Sequence, residues 1–444
     1  MALMNSNAEH GASAAKKLSR FSTVNWALLD QAMISGANFV LGLLLVRYIG
    51  LASFGEYVLV WMIVQFCMSI QNALIISPMF SIAPQVERHD RAKYYSVTMA
   101  LQILLAGALA ILPVLYIAFV PTRFLPIWLS TQTALLLSVC IFVFQIQDYC
   151  RRQFCSTGQY RLAFFVDLLA YGIQLLLIVV VIRILPLLSS VLIAFIISMA
   201  ISSIIAIRYL DYQRPSFSEV IQGGSRHWIS AKWLLGSACL QWVTGNYFLV
   251  TAGAVMGPVV VGAIRAAQNL VGLSHILFQA FENIVPKEAS RKYHQLGKSA
   301  LNRYMGSSGV AVIAGTASIA ALASWHADIL LGLIYKTADP IALSAMYWFV
   351  PIYVLIAAQL PLRAGLRAIE KTKFIFIAYV ATAVFSLVSA RFFVVEHSVS
   401  GIMLGILIVE AIMLLIFFCG VVCGPFSTLF HKRAASRHPE GDDL

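Results

Sequence analysis

Basic residues punctuate this chain on one side of every second apolar stretch, and no other feature constrains the fold as strongly. Twelve apolar stretches run roughly 24–46, 57–82, 96–120, 125–147, 163–183, 186–207, 233–256, 259–285, 304–324, 341–362, 374–394 and 399–423. Each exceeds the ~20 residues a helix needs to cross about 30 Å of hydrocarbon. Lipid offers no partners to free backbone N–H and C=O groups, so the spans are expected to be helical. Of the 31 Lys and Arg, all but Arg47, Arg123, Arg183, Arg265, Lys336 and Arg391 fall in the two tails or in the even-numbered connections. The positive-inside rule then places both termini in the cytoplasm. One missed span would scramble the alternation.

Composition agrees. Apolar residues make up 60%, charged residues 11%, and the mean hydropathy is +0.84, against about 45–50% and about 25% for an ordinary soluble domain. This excludes a soluble enzyme, a disordered chain, a small disulfide scaffold and the weak dyad alternation of an outer-membrane barrel. The expected class is an all-α, polytopic membrane protein. The +12 charge orients the chain, so no nucleic-acid partner is expected. The seven Cys show no CxxC or Cys/His spacing, which supports neither disulfides nor a metal. Residues 1–23 read as a cytoplasmic tail before a retained first helix, without a clear signal-peptide cleavage site. No GxSxG, HExxH, P-loop or paired-carboxylate DxD is present, so neither catalysis nor a cofactor is expected.

The connection 208–232, with Pro215 and Gly223-Gly224, reads as the junction between an N-lobe (24–207) and a C-lobe (233–423), the latter followed by a tail (424–444). Its stretch Ser216–Gln222 is a candidate interfacial helix. A shift of 207 residues places Trp26 on Trp233, Gly50 on Gly257, Gly55 on Gly262 and Asn72 on Gln279; Pro78 meets Pro286 after a one-residue slip. The common offset points to an internal repeat of six helices, its axis along the membrane normal. Chance alignment of apolar segments is the competing explanation.

Polar residues inside a span are costly, about 2.5–3.5 kcal/mol for a mid-helix charge, so their helical phase is informative. On the eighth stretch Arg265, Gln268, Asn269, Gly272, His275, Gln279, Glu282 and Asn283 recur at spacings of three and four and form one stripe. Arg265 lies ~9 Å, six residues, below Val259 at the outer end. The first stretch carries Gln31, Ser35 and Asn38 with Asp30 beside them. The second carries Gln65, Ser69 and Asn72, and the seventh Gln241, Thr244 and Asn246. A water-filled cavity explains the stripes; small and polar residues acting as helix–helix glue, ~0.6 kcal/mol per bond, is the alternative. Asp30 needs a cation partner or a proton. Arg47 suits either a cavity mouth or an interfacial anchor, and Asp167 and Glu410 suit either proton sites or places near an interface. Trp61, Trp128, Trp325, Tyr347 and Trp348 suit the interfacial aromatic belt.

The segment NWALLDQAMISGANFVLGLLLVRYIGLASFGEYVLVWM (Asn25–Met62), with Arg47-Tyr48-Ile49-Gly50 and Phe54-Gly55-Glu56-Tyr57 at its core, resembles the start of polysaccharide-biosynthesis proteins of the O-antigen flippase type. Those belong to the superfamily shared with multidrug and toxin extruders and lipid II flippases. VGAIRAAQNLVGLSHILFQAFENIVPKEAS (Val261–Ser290) looks like that family's eighth helix. The resemblance implies alternating access around a cavity lined by helices one, two, seven and eight. The implied cargo is a polyprenyl-pyrophosphate-linked oligosaccharide. Arg265 matches the family's head-group arginine, with Arg47 at the mouth. Candidate contacts are then Arg265, Gln268, Asn269, Arg47, Asn38, Gln31, Gln65, Asn72, Gln241, His275 and Gln279, with Asp30 and Glu282 for ion or proton coupling. Membrane lipids, a polysaccharide polymerase and glycosyltransferases are the implied partners. A cation-coupled drug extruder centred on Asp30 is the main alternative. A membrane glycosyltransferase or polymerase would need an exterior loop or an acidic pair that is not visible.

Overall fold

The computed structural model describes residues 2–121, 123, 125–126, 128–272, 274–335 and 339–422, with side chains from Trp26 onward except those of 27, 28 and 334. The expected tail at 424–444 and Lys336 lie outside the described residues. Among the described residues all regular structure is helical, with no strand. Eight helical stretches are long and apolar enough to cross a bilayer.

Some are too long to cross only once. Helix α1, Ala2–Gln71, holds the first two apolar stretches, and Gly50 (φ 79°, ψ 170°) breaks it between them. Helix α2, Ser77–Ile82, completes the second stretch. Helices α3 (Arg91–Phe119), α4 (Thr131–Ser156), α5 (Tyr160–Ile184) and α6 (Leu188–Ile207) follow. Helix α7, Phe217–Val255, opens on a capping box in which Ser216 and Glu219 bond each other's backbone N–H. The candidate interfacial helix is therefore the first two turns of α7. Helix α8, Pro258–Val271, and the start of α9, Ser274–Trp325, share the eighth stretch; Gly297 (φ 77°) divides α9 before the ninth. The connection near Ser324–Pro340 contains a short helix, α10, Ala327–Tyr335. Helix α11 is Pro340–Ala368, and α12, Lys373–Val422, holds the last two stretches on either side of Ser398. A glycine supplies a positive φ without a Cβ penalty, which accounts for the breaks at 50 and 297.

Two boundaries differ from the sequence reading. The fourth span starts at Thr131, where Ser130 caps it by accepting from the Thr133 N–H, and it runs to Ser156 rather than 147. Asp148, Cys150 and Arg151 thus belong to a helix. The Trp61 ring packs edge-on against Phe144 (5.3 Å) and Phe195 (5.4 Å).

The chain divides into two compact units. One gathers residues up to Trp242 with Ala252–Ala266 and Gly332–Thr337; the other takes Val243–Thr251, Ala267–Leu331 and the residues from Ala338 on. In the first unit α1 packs on α5, α3 on α4, and α4 and α5 on α6. Its core is built around Met79, Tyr95, Tyr149, Phe154 and Val166. Side-chain hydroxyls tie helices to neighbouring backbones: Tyr149 donates to the Tyr95 carbonyl (3.0 Å) and Ser202 to that of Val166 (2.8 Å). Such bonds average ~0.6 kcal/mol between membrane helices.

Pro78 explains a distortion in this unit. It has no N–H to give Leu74, four residues earlier, and residues Asn72–Ile76 form a π-helical turn. The Leu74 carbonyl instead accepts from His227 Nδ1 of α7 (3.3 Å), whose Nε2 accepts from the Tyr94 hydroxyl (3.0 Å). Burial pushes the His227 imidazole below its ordinary pKa.

The repeat glycines meet within this same unit. Gly50 and Gly257 both have positive φ, 79° and 89°. A Cβ on Gly55 would lie 2.5 Å from the Pro258 carbonyl carbon and 3.0 Å from the Gly262 N; one on Gly262 would lie 3.0 Å from the Gly55 N. In the second unit α11 lies against α9 and α12, and Ser324 donates to the Met346 carbonyl (3.0 Å).

Candidate functional site

The polar stripes stand open along their helices. On α1, Gln31, Ser35 and Asn38 are exposed while Leu41 and Leu45 are buried. Arg47 is exposed three residues before the Gly50 break, and beyond it Gln65 and Asn72 are exposed. Gln241 of α7 is exposed. On α9, His275, Gln279, Glu282 and Asn283 are exposed, while Phe278, Phe281 and Val285 are buried. Arg265, Gln268 and Asn269 of α8 are half-buried, and the Arg265 guanidinium lies within electrostatic reach of the buried Tyr57 hydroxyl. Amides held in a packing seam would be covered; most of these are not.

The eighth stretch is not one continuous helix. Helix α8 ends at Val271 and α9 starts at Ser274, linked by backbone bonds from Gly272 N to Gln268 O (2.8 Å) and from His275 N to Gly272 O (2.9 Å). Gly272 is crowded by backbone: a Cβ there would lie 3.0 Å from the Gln268 carbonyl. Arg265 belongs to the first unit and Gln268, Asn269, His275, Gln279 and Glu282 to the second.

Both candidate coupling acids have cationic partners. Glu282 is paired with Arg363 of α11, and one turn earlier on that helix Gln359 donates to the Glu410 carboxylate of α12 (2.6 Å) and to its carbonyl (3.1 Å). His275 Nε2 is 3.3 Å from the Tyr353 hydroxyl of α11. Asp30, which is 5% exposed, accepts from Arg151 of α4 at 2.6 Å.

Arg151 holds more than Asp30. Its guanidinium also pairs with Asp167 of α5 and lies 3.8 Å from Asp148, one turn back on α4; Arg152 reaches Asp148 at 3.3 Å. Gln147 Nε2 donates to the other Asp167 oxygen (2.8 Å). Asp167 is fully buried and the Arg151 side chain only 14% exposed. Three carboxylates share two guanidiniums, so the cluster has one formal negative charge left over. A fork of donors in a fixed plane is what lets one residue serve several carboxylates. Desolvation costs several kcal/mol per ion, and the pairing offsets it only where the geometry is good.

Arg151 and Arg363 are missing from the sequence candidates. Both stand in runs that read as orienting basic connections. The available signal was Asp148-x-x-Arg151: within a helix, residues three apart share a face.

No protein-family model matches the sequence, and no curated relative does. Solved structures do match the fold. An inward-facing multidrug resistance MATE family transporter of the MOP superfamily superposes with a TM-score of 0.70 at 13% identity, over 90% of this chain and 95% of that one. The lipid II flippase MurJ in an inward closed conformation gives 0.68 at 11% identity, over 94% of each chain. A MOP superfamily transporter from Pyrococcus furiosus, described as having a binding pocket of reversed polarity, gives 0.62 at 14% identity, over 93% and 96%. The chain therefore shares the all-α, polytopic fold of these three proteins.

Proposed function

We propose that this protein is a flippase that moves a polyprenyl-pyrophosphate-linked oligosaccharide across the bacterial inner membrane by alternating access, in cell-surface polysaccharide biosynthesis. The observation that carries the reading is the exposure of carboxamides along α1, α7 and α9, with Arg265 among the amides of α8. A pyrophosphate is an acceptor-rich anion and arginine a planar fork of donors; carboxamides suit sugar hydroxyls. The polyprenyl tail stays in lipid while the head group crosses. Substrate contacts are assigned to Arg265, Gln268, Asn269, Gln31, Asn38, Gln65, Asn72, Gln241, His275 and Gln279, with Arg47 at the mouth. The MurJ neighbour, a lipid II flippase, supports a lipid-linked cargo. A polymerase and glycosyltransferases acting on the same polysaccharide are the expected partners.

A drug extruder is the second reading, supported by the MATE neighbour. It needs an acid available to a cation. Asp30 is the acid it would use, and Asp30 pairs with Arg151, so a cation would have to open that pair. If transport is coupled to a gradient, the event at Asp30 or Glu282 is the opening of an ion pair with Arg151 or Arg363.

Deletion of the gene followed by mass analysis of lipid-linked intermediates tests the assignment. The expected result is accumulation of one complete oligosaccharide-linked lipid, relieved by the wild-type gene. Unchanged lipid intermediates together with lost resistance to cationic compounds would support the extruder instead.

A further inference from the structure

The second unit contains an apolar groove of about 720 Å³, bounded by α9 beyond Gly297, by α11 and by the last turns of α12. None of the stripe residues lines it, and it is independent of the proposed cargo. Its floor exists because side chains are missing: Gly306 and Gly309 of α9 and Gly365 of α11 line it. A Cβ on Gly309 would come 3.1 Å from Pro361 Cγ, so the two helices close at its base. Its rim is formed by Val310, Leu415 and Phe418, which are 69%, 63% and 55% exposed.

The polarity is one-sided. Lys298 and Asn302 line one end and the rest is apolar. Gly297, at φ 77°, sets Lys298 at the turn from which this segment of α9 rises. Lys298 shares its basic connection with Arg303, and Arg367, Lys371 and Lys373 stand in the next even-numbered one. From Lys298 to Ile313 the helix rises ~22 Å, enough for the interface plus one leaflet of about 15 Å of hydrocarbon. A polyprenyl chain of a carrier lipid would overrun such a groove; a single acyl chain fits its length.

We infer that the groove holds one acyl chain of an anionic phospholipid from the leaflet on the basic side, its phosphate placed against Lys298 and Asn302. The charge match is at the head group and the length match at the chain.

The test uses the full-length protein in nanodiscs of equal phosphatidylglycerol and phosphatidylcholine, stripped gradually and read by native mass spectrometry. Wild type is expected to retain one phosphatidylglycerol after bulk lipid has left. Lys298→Gln is expected to lower the preference over phosphatidylcholine roughly fivefold, the factor one Lys contributes beside an anionic lipid. Gly306→Leu is expected to abolish retention. Nothing lies within 4 Å of a Cβ there, so this variant should unfold at the wild-type temperature, and the lost lipid then reports a filled groove. Retention undiminished in Gly306→Leu would overturn the inference. So would a wild-type protein that holds no lipid, or one that co-purifies with a polyprenyl phosphate displaced by the same substitution.

Discussion

Gly55 and Gly262 pack backbone to backbone: a Cβ added to either would stand 3.0 Å from the other's amide nitrogen. The two residues stand 207 positions apart, the offset at which the two halves of the sequence align. The flanking equivalents Gly50 and Gly257 turn the chain with matching positive φ. Glycine is required at 55 and 262 for approach and at 50 and 257 for conformation.

Gly55→Ala should therefore be severe, because the Pro258 carbonyl occupies the place of the new methyl. Overpacking typically costs about 1–3 kcal/mol or more. The expected result is a lowered unfolding temperature in detergent. Gly36→Ala, with nothing within 4 Å of its Cβ, should leave it unchanged. Equal behaviour of the two variants would contradict the contact.

The Arg151 cluster makes a graded prediction. Arg151→Ala strands Asp30 and Asp167 in a buried site and should cost about 3–5 kcal/mol, as removal of one partner of a buried pair does. Arg152, partly exposed and bonded to Asp148, should cost less than about 1 kcal/mol when truncated. Arg151→Lys should not restore stability, since a point charge cannot reproduce the fork. Thermal unfolding of the three variants checks the order.

That the chain is helical, with stretches long and apolar enough to cross a bilayer, was legible because hydrophobic length leaves few alternatives. The polar stripes were legible in phase, but not in continuity: nothing in Gly272-Leu273-Ser274 marks the α8–α9 break ahead of any other glycine. Arg151 was hidden by the same rule that oriented the chain, which treats every basic residue beside a span as topogenic. Its partners Asp30 and Asp167 come from other helices, and such tertiary pairing leaves no periodic mark. The His227 bond was hidden likewise. Pro78 announces an orphaned carbonyl, yet not which side chain 153 residues away will satisfy it.

That bond predicts an acid limb. The folded His227 ring binds its proton less readily than the unfolded chain does, so protonation favours unfolding. Its contribution should be intact above about pH 6.5 and decline as pH falls toward the lower, folded value. His227→Asn keeps a donor for the Leu74 carbonyl and cannot titrate. Its unfolding temperature should fall less between pH 8 and pH 5 than that of wild type. Parallel curves would remove His227 from the account.

Coupling is tested by neutralising each acid. Asp30→Asn and Glu282→Gln weaken the ion pairs to Arg151 and Arg363, and gradient-driven transport should be lost while the protein still folds. Normal transport by both variants would show that neither acid couples it.

The most direct test is flipping of a pyrophosphate-linked oligosaccharide by purified protein in vesicles. Hydrogen bonds to a charged group contribute about 1.5–3 kcal/mol, so Arg265→Ala should slow flipping at least roughly tenfold, with Arg265→Lys intermediate. Transport by Arg265→Ala at the wild-type rate would contradict the assignment of the head group to Arg265.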